Sequence, residues 1–156
     1  MKILAENKKA YFDYQILEKF EAGMVLIGQE VKSIKSGRIS IKGSYVVLRQ
    51  PAFGGLPQIY LVGANIPPYQ PKNAPKDYNP ERSRKLLLNK SEIKRLIGKT
   101  KEKGLTLVPL KVYTKNAKIK LAFGIAKGKK KADKRELIKK EEAKREIRAY
   151  KRDLKI

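Results

Sequence analysis

The 156-residue chain contains no cysteine, no histidine and no tryptophan. Without cysteine and histidine there can be no disulfide, no thiolate or imidazole metal ligand, no cysteine nucleophile and no His-based triad. Acidic residues are scarce, at 15 Asp and Glu against 38 Lys and Arg, and they form no evident ligand set for magnesium. We therefore expect no catalytic residue, no metal site and no cofactor.

The surplus of cations gives a formal net charge of +23 at pH 7. Solubility alone needs a net charge of roughly 2 to 8, so the remainder predicts a phosphate-binding surface. Nucleic acid is the first candidate partner and an anionic membrane the second. The first twenty residues contain no long apolar run, which favours a cytoplasmic protein without a signal peptide or membrane span.

The length is typical of one domain followed by a tail. Residues 127–156 carry 14 Lys or Arg and 6 Asp or Glu, with only a thin apolar stripe at helical spacing. Such a stripe buries too little surface to hold an isolated helix. We expect a domain over 1–126 and a basic C-terminal tail over 127–156 that is disordered when free and helical when bound.

Hydrophobic periodicity divides the first 126 residues into strands and short helices. The stretch 10–27 predicts one long or bent strand, and 28–37 predicts a helix that ends at Gly37. Asn89 with Glu92 three residues later is typical of a helix N-terminus. Further strands are expected at 39–48, 59–62, 105–113 and 118–125, with a bulge or a sheet edge at Pro109 and a surface loop at 67–80.

Several short antiparallel strands with few helices predict a mainly β fold, arranged as a small closed or nearly closed antiparallel barrel. Two basic segments flank its elements. The first is Arg82-Ser83-Arg84-Lys85, whose cations either contact phosphate or form a solubilising rim on the surface. The second is Ala126-Lys127-Gly128-Lys129-Lys130, which is either a flexible basic hinge that contacts phosphate or a plain solvated linker. Leu86-Leu87-Leu88 is expected in the core. Most of six aromatic residues are also expected there, and a minority are expected to be exposed, where they could stack on unpaired bases: Tyr11, Phe12, Tyr14, Tyr45, Tyr60 and Tyr69.

Seven segments together resemble one family, the small protein B or SsrA-binding proteins, which bind tmRNA in trans-translation and rescue stalled bacterial ribosomes. The resemblance runs collinearly along nearly the whole chain. Its segments are Asn7-Lys8-Lys9-Ala10, Glu21-Ala22-Gly23, Gly28-Gln29-Glu30-Val31-Lys32-Ser33, Ile66-Pro67-Pro68-Tyr69, Arg82-Ser83-Arg84-Lys85-Leu86-Leu87-Leu88-Asn89, Gly104-Leu105-Thr106-Leu107-Val108-Pro109-Leu110, and Ala126-Lys127-Gly128-Lys129-Lys130 with Asp133-Lys134-Arg135.

This resemblance implies an OB-like antiparallel β-barrel with peripheral helices that binds the tRNA-like domain of tmRNA. It also implies a tail that enters the ribosome, at the decoding centre and the empty mRNA channel, and no catalysis. The family's RNA-binding acid, asparagine and lysine fall on Glu21, Asn89 and Lys120. Two departures stand out: Ala132, where relatives often carry His or an aromatic residue, and a longer segment at 51–57.

The partners expected from residues and resemblance together are tmRNA and the ribosome, with no membrane, for a monomeric protein. A structural ribosomal protein or general RNA chaperone is the alternative, and a magnesium-dependent RNA-processing enzyme is a weaker one. The expected RNA-binding residues are Asn7, Lys8, Glu21, Arg38, Arg82, Arg84, Lys85, Asn89 and Lys120. The expected ribosome-binding tail residues are Lys127, Gly128, Lys129, Lys130, Lys131, Asp133, Lys134 and Arg135.

Overall fold

The computed structural model describes residues 1–129 and 131–153, the side chains of 131–133 and 153 excepted. Its described part contains seven strands, four α-helices and one turn of 3-10 helix at Pro71–Asn73. In chain order the elements are β1 (Lys2–Glu6), α1 (Lys8–Asp13), β2 (Tyr14–Met24), α2 (Gly28–Lys35), β3 (Tyr45–Arg49), β4 (Gln58–Val62), β5 (Arg84–Leu87), α3 (Lys90–Thr100), β6 (Leu105–Lys115), β7 (Lys118–Gly128) and α4 (Lys131–Asp153).

All seven strands form one antiparallel sheet in the order β1-β6-β7-β2-β5-β4-β3. The expected mainly β fold with peripheral helices is confirmed. The sheet is not closed, however, so the expected barrel is not confirmed. The sheet curls until β3 lies near β6, but within the described residues no ladder of hydrogen bonds joins them. Closure depends on pairing between strands far apart in sequence, which periodicity does not encode.

The prediction of a strand over residues 10–27 is wrong at its beginning. Residues 8–13 form α1, and β2 starts only at Tyr14. The start of α1 is tied to β6 by Asn7, whose backbone N–H donates to Leu110 O at 2.7 Å and whose Nδ2 donates to Pro109 O at 3.0 Å. These contacts span about a hundred residues, so the local pattern could not show them.

The turns and helix ends predicted from neighbouring residues agree with the structure. Helix α2 ends before Gly37, whose φ of +82° suits glycine. Helix α3 begins after Asn89, whose Oδ1 accepts from the Glu92 backbone N–H at 2.9 Å. The predicted bulge is present, since the β6–β7 register shifts between Pro109 and Lys111. These predictions are confirmed because each depends on residues close together in the chain.

Two apolar clusters lie on opposite sides of β7. The larger one fills the concave side of the sheet, where the rings of Phe20 and Phe123 stack 5.5 Å apart. The smaller one lies beneath α1 and includes Ala10, Ala122 and Ala126. Because β7 is covered on both faces, its residues on the α1 side are small. The smaller cluster holds Ala10, Val108, Leu110, Tyr113, Ala122 and Ala126, with Tyr14 and Ile16 against it.

Candidate nucleic-acid interface

A cleft of about 410 Å³ opens where β2 and β5 meet the beginning of β7. Three lysines, Lys35, Lys118 and Lys120, line it together with the exposed apolar side chain of Leu87. A basic rim around apolar surface suits a phosphate backbone with base or ribose contacts between the phosphates. We call this site the lysine cleft.

The strand register places Lys120 at the lysine cleft. Gly23 on β2 pairs with Lys120 on β7 and with Leu87 on β5. A Cβ at Gly23 would lie 3.5 Å from Leu87 Cβ and 3.8 Å from Lys120 Nζ. Glycine at this position therefore leaves the floor of the cleft open to a ligand.

Glu21 lies beside the lysine cleft, on the convex face of β2. Alternation along the strand puts Phe20 and Ala22 in the core and turns Glu21 outward. Its carboxylate accepts a hydrogen bond from the Tyr113 hydroxyl and lies 3.5 Å from Lys115 Nζ. The structure thus brings the predicted acid close to the predicted Lys120.

These contacts shift two pKa values in opposite directions. The hydrogen bond from Tyr113, followed by Lys115 and Lys120, holds the pKa of Glu21 below its ordinary value, against a smaller opposing effect of burial. Burial, and then the contact with Glu21, raises the pKa of Tyr113 above its ordinary value. At neutral pH the pair is therefore a neutral tyrosine donor and a charged carboxylate acceptor.

Arg84 is placed differently from the expectation of an RNA contact. Its side chain is fully buried, and it donates to Glu30 Oε2 at 2.7 Å, Ala64 O at 2.8 Å and Pro80 O at 2.9 Å. A phosphate could not reach it without unfolding the surrounding chain. The prediction of a direct contact at Arg84 is corrected to a structural role, because every guanidinium nitrogen already has an acceptor.

Arg82 completes the same cluster from the surface. It is partly exposed, and its Nη2 lies 2.5 Å from Glu30 Oε1, while the backbone N–H of Ile27 donates to that oxygen at 3.0 Å. Burial alone would raise the pKa of Glu30, but the Ile27, Arg82 and Arg84 donors outweigh it and hold that pKa below its ordinary value.

The remaining predicted residues do not converge on the lysine cleft as one cluster. Asn89 is exposed at the N-terminus of α3, and Lys85 is half-buried on β5, opposite Tyr60. Asn7 anchors α1, and exposed Lys8 begins it. Arg38 is exposed, with its guanidinium 5.8 Å from the Tyr69 ring.

The tail residues begin at the end of β7 and continue into α4. Lys129 donates to Tyr11 O at 3.0 Å through Nζ and to Asp13 O at 2.9 Å through its backbone N–H. Lys134 Nζ lies 3.3 Å from Asp13 Oδ1, and Arg135 is exposed. Lys127 and Gly128 end β7 and are exposed. Of the other predicted residues, Lys130 and the side chains of Lys131 and Asp133 lie outside the described residues.

Leu87, Tyr113 and Lys115 were missed by the reasoning from sequence. Leu87 was expected in the core, but it is 53% exposed, so that expectation is wrong. Alternation along β5 could have shown this, since Arg84 and Leu86 point inward and Lys85 and Leu87 outward. No local signal marks Tyr113 as the partner of Glu21.

Among residues 1–129 and 131–153, no three His, Cys, Asp or Glu residues lie where they could hold a metal ion together. In the same residues, no helix has both the length and the hydropathy needed to cross a membrane.

Comparison with known proteins identifies the family. A family model described as "SmpB protein" matches residues 4–153. The chain belongs to the SmpB family. An SsrA-binding protein of Syntrophobacter fumaroxidans is 49% identical over 94% of this chain and 86% of the relative. The SsrA-binding proteins of Sulfurihydrogenibium sp. and Geobacillus kaustophilus are each 48% identical over 99% of this chain, and over 98% and 96% of the relatives.

The fold of this SmpB family member is also similar to a solved structure. That chain comes from work described as "tmRNA-SmpB: a journey to the center of the bacterial ribosome". The two share 42% sequence identity and superpose with a TM-score of 0.61, over 85% of this chain and 92% of the other.

Proposed function

We propose that this SmpB family member is an RNA-binding adaptor of trans-translation. It binds the tRNA-like domain of tmRNA and delivers it to stalled ribosomes. The observation that carries this proposal is the lysine cleft beside Glu21, where the register joins Gly23, Leu87 and Lys120. The names of the relatives, SsrA-binding protein, support tmRNA as the RNA.

Within the lysine cleft, cations supply affinity and Glu21 supplies position. Lys35, Lys118 and Lys120 neutralise phosphates and release counterions. A carboxylate would repel phosphate, so Glu21 acts as an acceptor for a ribose hydroxyl or a base amino group. The Tyr113 hydroxyl holds that carboxylate in place. Exposed Leu87 covers the apolar part of the bound RNA.

Arg84 and Arg82 contribute to RNA binding indirectly, by stabilising the folded structure around Glu30. Together with Glu30 they fix β5 against the first turn of α2, and β5 carries Lys85 and Leu87. This cluster therefore positions part of the RNA-binding surface, whereas Arg84 makes no phosphate contact. We further propose that the curled sheet is an OB-like barrel left open between β3 and β6.

The division into two functional parts is also a proposal. The sheet and its helices, residues 1–126, hold tmRNA, and the basic tail from residue 127 probes ribosomal RNA in an empty mRNA channel. Lys127, Gly128, Lys129, Lys134 and Arg135 begin this tail, and we keep Lys130, Lys131 and Asp133 among its predicted contacts. Two anchors on two RNA surfaces suit an adaptor, because each raises the effective concentration of the other. We propose a non-catalytic, monomeric protein of the cytoplasm.

A salt titration with a matched lysine tests the function. Binding to a tRNA-like-domain transcript is measured from 50 to 300 mM salt for the wild type, Lys120→Ala and Lys103→Ala. Lys103 precedes β6, at the end of the β6–β7 hairpin opposite the lysine cleft. We expect Lys120→Ala to reduce the slope of log affinity against log salt by about 0.7 to 0.9 and Lys103→Ala to leave it unchanged. Equal slopes would remove Lys120 from the RNA face.

A second measurement separates the adaptor from a structural ribosomal protein. An adaptor leaves purified ribosomal subunits in a high-salt wash and copurifies with one structured RNA. A structural ribosomal protein stays on the subunits and copurifies with ribosomal RNA. If this protein behaved in that way, the proposal would be overturned.

A further inference from the structure

The loop of residues 50–57, which joins β3 and β4, carries an unusually exposed aromatic side chain. The last paired rung of this hairpin is Arg49 with Gln58, and the loop extends beyond it. Phe53 in this loop is 99% exposed, more than any other large apolar side chain of the described residues. Gly54 and Gly55 both have positive φ angles, +72° and +91°, and form the turn that follows Phe53.

The end of this loop that leads into β4 is packed against the protein. Pro57 is buried and Leu56 is half-buried. Phe53 is therefore presented at the end of an anchored hairpin. A fully exposed phenyl ring gains nothing from the fold, and burying it in a complex would be favourable because its apolar surface leaves water. We call residues 50–57 the hairpin tip.

The convex face of β3, β4 and β5 leads from the hairpin tip and joins aromatic rings with cations. Tyr60 lies opposite Lys85 on β5. The guanidinium carbon of Arg49 lies 4.7 Å from the centroid of the Tyr60 ring, and Nη2 of Arg49 lies 3.4 Å from Ser83 Oγ. Tyr45, farther along β3, is 51% exposed. Arginine stacked on tyrosine is a surface on which nucleobases stack.

Charge selects the kind of partner for this surface. Between Glu30 and Asp77 the sequence contains no acidic residue, whereas it contains seven lysines and arginines. An apolar groove of a protein would match Phe53 but not the cations beside it. A polyanion whose unpaired bases can stack matches both, and that is single-stranded or looped RNA.

We propose that the hairpin tip and the Arg49–Tyr60 face form a second RNA-binding surface, in which Phe53 stacks on an unpaired nucleobase and Arg49 and Lys85 contact the flanking phosphates. This surface is separate from the lysine cleft, whose lining residues include none from β3, β4 or the tip. The nucleobase can belong to tmRNA or to ribosomal RNA, because both present unpaired bases.

The absence of tryptophan from the chain allows a direct test. In the full-length protein, Phe53→Trp introduces a single indole fluorophore at the tip. It is titrated with a tRNA-like-domain transcript, with a protein-free transcript of small-subunit ribosomal RNA, and with intact 70S ribosomes. Stacking on a base is expected to quench the fluorescence saturably with one of the protein-free RNAs, and the one that quenches identifies the source of the base.

Affinity measurements with matched variants complete the test. Phe53→Ala should weaken binding of the quenching RNA on the order of tenfold, whereas Leu17→Ala, which removes a 51% exposed apolar side chain elsewhere, should not change it. Arg49→Gln should lower the salt slope by about 0.7 to 0.9. The RNA affinity of Lys120→Ala is measured in the same experiment and reports on the lysine cleft. If Lys120→Ala weakens binding and Phe53→Ala does not, only the tip proposal has failed, and the proposed function still holds.

Three results would overturn the proposal. Quenching by neither protein-free RNA would show that the tip does not stack on a base. A blue shift without quenching, seen only with intact ribosomes, would assign Phe53 to an apolar protein groove. Equal affinities for Phe53→Ala and the wild type would show that the ring contributes nothing to binding.

Discussion

Tyr113 donates a hydrogen bond to Glu21 across a strand that lies between them. Tyr113 is on β6 and Glu21 on β2, 92 residues apart in sequence, and β7 separates the two strands in the sheet. The hydrogen bond lowers the pKa of Glu21, while burial and the same contact raise that of Tyr113. An exposed carboxylate thus keeps a defined orientation beside Lys120 in a protein of net charge +23.

Tyr113→Phe should release Glu21 from this orientation without changing any charge at neutral pH. We expect the pKa of Glu21 to rise toward its ordinary value of 4.5. Carbon-detected NMR titration of the carboxyl group measures that shift. RNA affinity should fall severalfold, although Tyr113 need not touch RNA, and Glu21→Gln combined with Tyr113→Phe should cost no more than Glu21→Gln alone. Additive losses would contradict a positioning role.

Glu30→Gln should destabilise the fold strongly. Replacing this carboxylate leaves fully buried Arg84 without its counter-ion, and breaking a buried pair costs about 3–5 kcal/mol of unfolding free energy. Urea denaturation measures the loss. The control is Glu18→Gln, which breaks the exposed pair of Glu18 with Arg95, 2.6 Å apart, and should barely move the midpoint.

The same carboxylate predicts a pH dependence of stability. Because the pKa of Glu30 is lower in the folded protein, its contribution is complete above the ordinary value of 4.5 and is lost as the pH falls through the lowered folded value. Wild-type stability should therefore decline below about pH 4.5, and the decline should be smaller in Glu30→Gln. Identical acid profiles would contradict this assignment.

Two glycine substitutions should act in opposite directions. A Cβ at Gly124 would lie 2.9 Å from Ile16 Cγ2 and 3.0 Å from Glu18 O, so Gly124→Ala should destabilise by about 1–3 kcal/mol. Gly98 lies in α3 with no atom within 4 Å of a Cβ, so Gly98→Ala should stabilise by about 0.5–1 kcal/mol. Thermal melts of the two variants check both signs.

Asn89→Asp separates helix capping from RNA recognition. The side-chain oxygen of Asn89 accepts from the Glu92 N–H and from the Ser91 hydroxyl, and aspartate keeps that acceptor while losing the amide donor. We expect unchanged stability and about tenfold weaker RNA binding. Preserved RNA affinity would leave capping as the whole role of Asn89.

Truncation after Gly128 tests the two-part organisation. It removes the contacts of Lys129 and Lys134 with α1, but both apolar clusters lie within residues 1–126. The shortened protein should fold, bind the tRNA-like domain with nearly full affinity and fail to support peptide tagging on stalled ribosomes. Unfolding would show that the tail is part of the core, and normal tagging would show that it is dispensable.

Local signals were sufficient for the elements set by neighbouring residues. The cap at Asn89, the stop at Gly37 and the bulge at Pro109 are confirmed because their causes lie within a few residues. Local signals are less informative where a contact with a distant part of the chain determines the structure. The start of α1 is an example, because Asn7 is hydrogen-bonded to β6. The collinear motifs were specific enough to indicate the family, which the family model then showed.

The sequence by itself determined that this is a basic, mainly β protein without Cys or His, and that the chain resembles one RNA-binding family whose acid and lysine fall on Glu21 and Lys120. Only the tertiary structure decided that Glu21 is held by Tyr113, that the guanidinium of Arg84 is saturated by Glu30, Ala64 and Pro80, and that the sheet stays open. The physical reason is that these features depend on which distant strands pair and in which register, and a hydrogen bond spanning 92 residues leaves no trace in local periodicity.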